Sequence, residues 1–487
     1  MRRLLAAVLA AVLAAVLLVG GYAALDVYDL VPGILTRDSA PAPSAAPVPA
    51  ATAAGPVATV PTPAATAAPL PAATVSAPLP ARAVLRRQLA DELAAPGLGR
   101  SLGVTVRDAF TGTHLLDIDA GRPRVAASTA KMLTALAVGV TLEPRGTLAT
   151  RVVQGRTPGE IVLVAGGDSL LGRGAGNPAA VAGHAGLGDL AAQVAAALQA
   201  SGGPPAGKPV TVRLDVTYAA GPRFAPGWNM ADVYAGYTQG VSMLGLASQR
   251  PHPGKPSPLE PEVEVLKAFV AALKPLGITA TAAPQPTRSV RAPAGAAELG
   301  RVESAPVGDV LALALDDSDN ALTESLARQA TVAAGGPATF EAAVAQVRKT
   351  VAGLGIDLTG VTLKDTCGLT SGQAVPARVL GDVIALGATG TVPSMRDTLA
   401  HLPVAGLNGT LYDRFTDGRS RAAAGIARAK TGTLTGASAL AGTVVDRDGR
   451  VLTYVVLADR VPAGVGTLAA RAALDRFVTA LASCGCR

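Results

Sequence analysis

The segment AASTAKMLTA, residues 126–135, places a serine three positions ahead of a lysine among small and apolar residues. Residues three apart lie on one face of a helix, so the Ser128 hydroxyl and the Lys131 amine can come within hydrogen-bonding distance. A serine at the start of a helix is most often an N-cap, and taken alone Ser128 is more simply explained in that way. The choice between a cap and a reactive hydroxyl therefore depends on the rest of the chain.

Two later motifs favour chemistry over capping. The structural alternative is a capping turn for Ser318-Asp319-Asn320 and an exposed strand edge for Lys430-Thr431-Gly432. Only eight of the 42 basic residues are lysines, yet two of these eight occupy the motif positions that demand lysine. The motifs are Ser318-Asp319-Asn320, between two predicted helices, and Lys430-Thr431-Gly432, which opens a predicted strand and is followed by Thr433.

The demand for lysine has a chemical reason. A serine hydroxyl is a weak nucleophile until a neighbouring base takes its proton. Lysine can act as that base when burial and nearby positive charge lower its pKa, whereas an arginine guanidinium stays protonated. The apolar neighbours of Lys131 provide such a setting, and Lys430 would both lower the pKa of Lys131 and attract a substrate carboxylate.

Ser-x-x-Lys, Ser-Asp-Asn and Lys-Thr-Gly, in this order, form a set that is known from penicillin-binding proteins and class A β-lactamases. From about residue 85 to 483 the chain closely resembles the D-alanyl-D-alanine carboxypeptidases of the low-molecular-mass class C type, the S13 peptidase family. The separation of 190 positions between Ser128 and Ser318 is also similar to that family, in which a large accessory region is inserted into the transpeptidase-like domain. Further stretches that look like family signatures are LVAGGDSLL (163–171), GPRFAPGW (221–228), LKDTCGLTSG (363–372) and LPVAGLNGTL (402–411).

The resemblance implies a role for each motif residue. Ser128 would attack the carbonyl between two D-alanines with Lys131 as general base, and Ser318 would pass a proton to the leaving nitrogen. Asn320 would bind the substrate amide and help to place Lys131. Lys430 and Thr431 of the Lys430-Thr431-Gly432 motif would bind the terminal carboxylate, and the backbone N–H groups of Ser128 and Thr433 would form the oxyanion hole. The family usually has a serine where this chain has Cys367, a departure in a segment that helps to shape the cleft.

The resemblance also implies an α+β fold, a β-lactamase/transpeptidase-like domain in which helices flank an antiparallel sheet. The residue pattern agrees with strands at both ends of the chain in one sheet. Hairpins are predicted in LGVTVRDAFTGTHLLDIDA (102–120) and GASALAGTVVDRDGRVLTYVVLAD (436–459), followed by an amphipathic helix at 467–483. We expect the catalytic domain at 85–145 and 299–487 and an inserted region of strands and helices at 146–298.

The N-terminus has the features of an export segment. Arg2 and Arg3 precede an apolar run over residues 4–25, which is long enough to be a cleaved signal peptide or a membrane anchor. Residues 39–81 are rich in Ala, Pro and Thr and are expected to form a disordered linker. We therefore expect an extracytoplasmic protein of the cell envelope. Residues 4–25 would either be removed as a signal peptide or anchor the protein in the membrane.

Composition limits the other partners. The net charge is +7 and only 3% of the residues are aromatic, without the basic, aromatic-rich surface expected of a nucleic-acid binder. His114, His184, His252 and His401 show no metal-ligand spacing, so no metal or cofactor is expected. The three cysteines are an odd number, which leaves the pairing of Cys367, Cys484 and Cys486 open.

The interpretation that follows is a serine-type D-Ala-D-Ala carboxypeptidase, with D,D-endopeptidase activity also possible, that acts on peptidoglycan stem peptides and is inhibited by β-lactams. Two alternatives remain open at this point. One is a β-lactamase or esterase of the same fold, which would differ in how fast the acyl-enzyme is hydrolysed. The other is a cell-wall binding protein that has lost turnover.

Overall fold

The computed structural model describes residues 74–203 and 208–485. The predicted export segment at 1–25, most of the predicted linker and Cys486 lie outside these residues. Within them, no helix combines the length and apolar character that a membrane crossing requires. The strands are β1 (Leu102–Asp108), β2 (His114–Ile118), β3 (Pro123–Arg124), β4 (Ala149–Gln154), β5 (Glu160–Val164), β6 (Val210–Asp215), β7 (Ala280–Ala282), β8 (Glu298–Glu303), β9 (Val375–Pro376), β10 (Ala427–Leu434), β11 (Ala437–Val445) and β12 (Val451–Ala458).

The helices are distributed among these strands along the chain. They are α1 (Arg82–Gln88), α2 (Ala90–Leu93), α3 (Lys131–Thr141), α4 (Leu187–Ala200), α5 (Met230–Tyr234), α6 (Pro261–Leu273), α7 (Val307–Asp316), α8 (Asn320–Ala333), α9 (Phe340–Gly353), α10 (Ala377–Ala388), α11 (Pro393–Ala400) and α12 (Gly466–Ala482). The closing helix predicted at 467–483 is therefore confirmed, with its bounds shifted by one residue.

The first sheet joins the two ends of the described chain. Its order is β10-β11-β12-β1-β2, and all four pairings are antiparallel. Leu102 lies opposite Ala458, so residues far apart in sequence become neighbours in the sheet. Both predicted hairpins are present, and the α+β fold with an antiparallel sheet flanked by helices is confirmed.

The two faces of this sheet bury different helices, because successive side chains of a strand point to opposite sides. On β12, Val455 and Leu457 belong to the core that contains α3 and α10. The alternate residues Tyr454 and Val456 belong to the core that contains α1 and α12. Helix α3 is consequently enclosed, and every residue from Lys131 to Val138 is buried.

A second sheet is formed between the first and second motifs. Its order is β7-β6-β5-β4-β8, with β5, β6 and β7 parallel and the remaining pairs antiparallel. Helices α4 and α6 pack against it through a separate apolar core. Its last strand, β8, ends at Glu303, five residues beyond the predicted end of the inserted region.

The C-terminal part of the predicted linker contacts the folded body. The Thr74 N–H donates to the Gly449 carbonyl at 2.9 Å, and Arg450 Nη1 donates to the Ala77 carbonyl at 3.0 Å. Ala77 is buried. Residues 74–77 therefore differ from the predicted free spacer, because their backbone carbonyls satisfy a buried arginine that also pairs with Asp108.

Candidate active site

Ser128 lies in a 3₁₀ turn, Ala127–Ala130, that leads directly into α3. The N-cap residue of α3 is Ala130 and that of the 3₁₀ turn is Ala126, so Ser128 is not a helix cap. Its side chain is half-buried and faces a cleft, whereas the residues on both sides of it are buried. The simpler explanation of this serine as a capping residue is therefore wrong.

Lys131 is fully buried and its amine has three oxygen partners. Nζ donates to Ser128 Oγ at 2.9 Å, to Asn320 Oδ1 at 2.6 Å and to the Cys367 carbonyl at 2.7 Å. Burial lowers the pKa of Lys131, while the charges of Asp365, Glu324 and Asp319 act in the opposite direction. An amine with a lowered pKa beside a serine hydroxyl has the arrangement of a nucleophile and its base.

The second motif lies at the start of α8. Asp319 is the N-cap residue, and its side chain accepts from the Leu322 N–H at 2.9 Å. Asn320 follows it in the first turn of the helix and bonds the Tyr237 carbonyl through Nδ2 at 2.8 Å. Ser318 has a positive φ of 57°, a conformation that is strained for a residue with a side chain and is common at functional sites.

An arginine from before α6 anchors this turn. Arg250 pairs with Asp317 at 2.9 Å and with Asp319 at 3.2 Å. The Asp319 side chain is almost fully buried, so the pair is poorly screened by solvent. Residues of the region between the first two motifs, Tyr237 and Arg250, thus fix both the amide and the cap of the second motif.

The third motif lies on β10. Lys430 is fully buried, and Nζ donates to the Thr431 carbonyl at 3.0 Å. Burial and the charge of Lys131 lower the pKa of Lys430, and Asp316 and Asp317 oppose this shift. The Thr431 hydroxyl donates to Thr410 Oγ1 at 2.9 Å, which holds it at the cleft wall.

Two glycines allow the motifs to approach one another. A Cβ atom on Gly432 would lie 2.6 Å from the Ala126 carbonyl oxygen, so only glycine lets β10 pass so close to the turn that carries Ser128. A Cβ atom on Gly368 would lie 2.1 Å from the Ala127 carbonyl oxygen, and Gly368 also has φ 84°. Ala127 itself has φ 47°, so the strained residue ahead of Ser128 is held by its neighbours.

The loop at residues 365–370 closes the buried side of the site. Asp365 accepts hydrogen bonds from the Gly368 N–H at 2.7 Å, the Thr370 N–H at 2.6 Å, Gln373 Nε2 at 2.7 Å and Trp228 Nε1 at 3.1 Å. These donors lower the pKa of Asp365 although burial opposes them. The loop is thereby rigid enough to present the Cys367 carbonyl to Lys131.

Cys367 contributes its backbone to the site. The thiol is free and buried, and burial raises its pKa well above the usual value. Cys484, by contrast, is disulfide-bonded.

Glu324, Asp365 and Cys367 each bring one possible metal ligand within 4.8 Å of the others. A metal does not fit there, because four N–H donors already occupy the Asp365 carboxylate and two backbone N–H groups already occupy Glu324 Oε1.

The predicted residues surround a single cleft of about 590 Å³. Five of them line it, whereas Lys131 and Lys430 are buried and Gly432 packs against the serine turn. The sequence analysis missed Tyr237, Arg250, Glu324 and Asp365 as parts of the site. Two signals were available: Glu324 follows Asn320 by one helical turn, and Asp365 lies in the signature stretch 363–372. The five lining residues are Ser128, Ser318, Asn320, Thr431 and Thr433.

Comparison with solved structures supports the fold. Penicillin binding protein 4 (dacB) from Haemophilus influenzae superimposes with a TM-score of 0.63 and 18% sequence identity, over 82% of this chain and 98% of that chain. A second structure of that protein, in complex with a β-lactam, superimposes with a TM-score of 0.57 and 19% identity, over 82% of this chain and 97% of that chain. At this identity the likeness shows the fold alone.

Sequence comparison shows the family. Carboxypeptidase DacB of Mycolicibacterium smegmatis is 37% identical over 415 residues, which are 84% of this chain and 85% of that protein. A carboxypeptidase of Mycobacterium tuberculosis is 35% identical over 412 residues, 84% of this chain and 85% of that protein. The family described as D-Ala-D-Ala carboxypeptidase 3 (S13) matches residues 85–250 and 247–481. The chain is therefore a member of the S13 family of D-Ala-D-Ala carboxypeptidases.

Proposed function

We propose that the protein removes a terminal D-alanine from peptidoglycan stem peptides through an acyl-enzyme at Ser128. One observation carries this proposal most directly, the 2.9 Å contact between the fully buried Lys131 amine and the Ser128 hydroxyl. A buried amine gives up its proton more readily than an exposed one, because burial disfavours the charged form. Ser128 and Lys131 therefore resemble other pairs of a nucleophile and its base, both in the 2.9 Å distance between Oγ and Nζ and in the lowered pKa of the base.

The proposed reaction has two stages. Ser128 Oγ attacks the carbonyl carbon between two D-alanines while Lys131 Nζ takes the hydroxyl proton. The proton then passes through Ser318 to the leaving nitrogen, the C–N bond breaks and D-alanine departs. Water attacks the ester in the second stage, which releases the shortened peptide and restores Ser128.

Substrate binding is assigned to the cleft walls. Thr431 and Thr433 line the cleft, and their hydroxyls are proposed to bind the terminal carboxylate. Lys430 is buried and does not line the cleft, so it would act on the carboxylate through its electric field and without direct contact. Asn320 would bind the substrate amide, and the N–H groups of Ser128 and Thr433 would bind the oxyanion, where fixed donors are worth several kcal/mol, about 3 for a single donor.

Release of D-alanine tests this proposal. A peptide that ends in D-Ala-D-Ala is incubated with the wild type, with Ser128→Ala and with Ser201→Ala, which removes an exposed hydroxyl at the end of α4. We expect equal D-alanine release by the wild type and Ser201→Ala and none by Ser128→Ala. Equal release by all three proteins would reject Ser128 as the nucleophile, and no release by the wild type would reject the activity and favour a cell-wall binding protein.

The same acyl-enzyme accounts for the expected inhibition by β-lactams, whose ring would acylate Ser128. A carboxypeptidase would hydrolyse that adduct slowly, whereas a β-lactamase would hydrolyse it fast.

The family and the predicted export segment at 1–25 support action outside the cytoplasm, with residues 4–25 as a possible anchor. The separate sheet of β4 to β8 supports the division into a catalytic domain, 85–145 and 299–487, and an inserted region, 146–298.

A second candidate activity is cleavage of crosslinked peptides. The cleft continues into a groove of about 920 Å³, and the two share the wall residues Arg250, Pro251, Pro253 and Asp317. A cleft that extends beyond the terminal dipeptide leaves room for a branched substrate, which favours D,D-endopeptidase activity beside the carboxypeptidase. Hydrolysis of a crosslinked peptide dimer, measured against the linear peptide, tests this candidate.

A further inference from the structure

Glu324 is a buried carboxylate that the proposed mechanism does not use. It lies on α8 one turn after Asn320, and its side chain is about 1% exposed. Carboxylates are seldom fully buried without a partner of opposite charge, because leaving water costs several kcal/mol, on the order of 5 or more. Its position so close to the site therefore calls for a specific role.

The contacts of Glu324 lead to the amine of Lys131. Oε1 accepts hydrogen bonds from the Thr366 N–H at 2.7 Å and from the Cys367 N–H at 2.8 Å. The carbonyl of the same Cys367 accepts from Lys131 Nζ at 2.7 Å. One carboxylate oxygen thus grips the backbone of the residue that orients the base. Among the described residues, Oε2 has no hydrogen-bond partner.

The surrounding charges complete this arrangement. Lys131, on α3, and Arg328, one turn further along α8, are the cations close to Glu324, and Asp365 is the neighbouring anion. Burial and the charge of Asp365 raise the pKa of Glu324 to about 7. When Glu324 is ionised, its charge raises the pKa of Lys131. The carboxylate therefore acts on Lys131 both through the loop and through its field.

We propose that Glu324 is a positioning residue for the acylation of Ser128, because it fixes the Thr366–Cys367 backbone and so holds the Cys367 carbonyl against the Lys131 amine. The inference rests on the proposed function, in which Lys131 activates Ser128. Lys131 must keep its amine aligned with Oγ, and a misplacement of 1 Å can lower a rate by about 100-fold. The carbonyl of Cys367 and the amide of Asn320 are the two contacts that set this alignment.

Two variants separate the hydrogen bonds from the charge. Glu324→Ala removes the acceptor for both N–H groups, and Glu324→Gln keeps an acceptor but removes the charge. Thr331→Ala is the matched control, because Thr331 is buried on the same helix and, among the described residues, its hydroxyl bonds only the Ala327 carbonyl of that helix, 2.7 Å away. The readouts are the acylation rate constant and the binding constant for benzylpenicillin, each followed against pH, with Ser128→Ala as the unreactive reference.

For Glu324→Ala we expect the acylation rate constant to fall by about 10- to 100-fold while the binding constant stays unchanged. Glu324→Gln should restore most of the rate at high pH. It should also move the acidic limb of the profile to lower pH, because loss of the Glu324 charge lowers the pKa of Lys131 further. The charged groups that still face Lys131 in this variant are Asp365, Asp319 and Lys430. Thr331→Ala should match the wild type.

Three results would overturn the inference. They are a wild-type rate and pH profile in Glu324→Ala, an equal loss in the Ala and Gln variants, and a loss in Thr331→Ala as large as in Glu324→Ala. If Glu324→Ala does not fold, a large loss of the acylation rate at high pH in Glu324→Gln, which keeps the acceptor, would decide against it. Failure of the wild type itself to be acylated at Ser128 would instead reject the proposed function.

Discussion

At the scale of single residues, the site depends on the protonation of Lys131. Its amine has to be neutral to take the Ser128 proton, and burial lowers its pKa while three carboxylates resist the change. Arginine in the same place would stay protonated and would need more room in a fully buried pocket. Charge, size and burial all oppose that replacement.

Lys131→Arg is expected to lower the rate of β-lactam acylation by about 1,000-fold or more, as removal of a catalytic base does in related mechanisms. Lys349→Arg, which changes an exposed lysine on α9, should leave the rate unchanged. Stopped-flow acylation of both variants measures this difference. An acylation rate in Lys131→Arg within a few-fold of the wild type would show that Lys131 is not the base.

The pH dependence of acylation follows from the same residue. Because burial lowers the pKa of Lys131 below its ordinary value of 10.5, the neutral amine should gain population at a lower pH than in a free lysine. The acylation rate should therefore rise with pH and level off below pH 10.5. A rate that keeps rising with unit slope through pH 10.5 would contradict the buried-base assignment.

At the scale of elements, a glycine can be required for its left-handed backbone conformation or for the close approach of a neighbouring segment. Gly368 and Gly355 both have φ 84°, but a Cβ atom would meet the Ala127 carbonyl at 2.1 Å in the first and nothing within 4 Å in the second. A left-handed conformation alone costs an alanine roughly 1–2 kcal/mol. The two positions thus separate the conformational cost from the steric one.

Gly368→Ala should abolish most acylation, because the serine turn has to move away from the 365–370 loop. Gly355→Ala should keep the wild-type acylation rate and lose only about 1–2 kcal/mol of unfolding free energy. Acylation assays and urea unfolding of both variants provide the comparison. Equal acylation in the two variants would mean that the packing of the loop against the Ser128 turn does not position the serine.

Much of this element scale was accessible from the sequence. The alternation of residues in β1, β2, β11 and β12 predicted the hairpins, and the three motifs predicted which residues share the cleft. Glu324 and Arg250 escaped prediction because their partners lie 42 and 69 positions away in sequence, and only the folded chain brings them together. The cap interpretation of Ser128 failed because α3 begins three residues later, at Lys131, and Ser128 lies inside the 3₁₀ turn that precedes it.

At the scale of the whole molecule, one buried acid connects stability to pH. Asp168 follows β5 in the second sheet, and its side chain accepts from the Leu170 N–H at 2.7 Å. Burial raises the pKa of Asp168 to about 7 from an ordinary 3.8. The folded state therefore binds this proton more tightly than the unfolded state between about pH 4 and 7, and its contribution to stability is lost as the pH rises through that window.

Asp168→Asn removes the titration while keeping a similar shape. Relative to this variant, the wild type should lose unfolding free energy by up to about 1 kcal/mol per pH unit between pH 4 and 7, and the difference should level off above pH 7. Urea unfolding at pH 4.5, 6 and 7.5 measures it. Glu324 titrates in the same window in both proteins and cancels from the comparison. A constant difference across this range would contradict the assignment.

The central claim concerns the whole molecule, since β10 from the C-terminal part of the chain and the 365–370 loop both pack against the turn that carries Ser128. Intact mass spectrometry after treatment with benzylpenicillin, followed by peptide mapping, tests it most directly. We predict one penicilloyl adduct, located on the peptide that contains Ser128, absent from Ser128→Ala and persistent over hours. An adduct at another residue, an equal adduct on Ser128→Ala, or no adduct on the wild type would contradict the account.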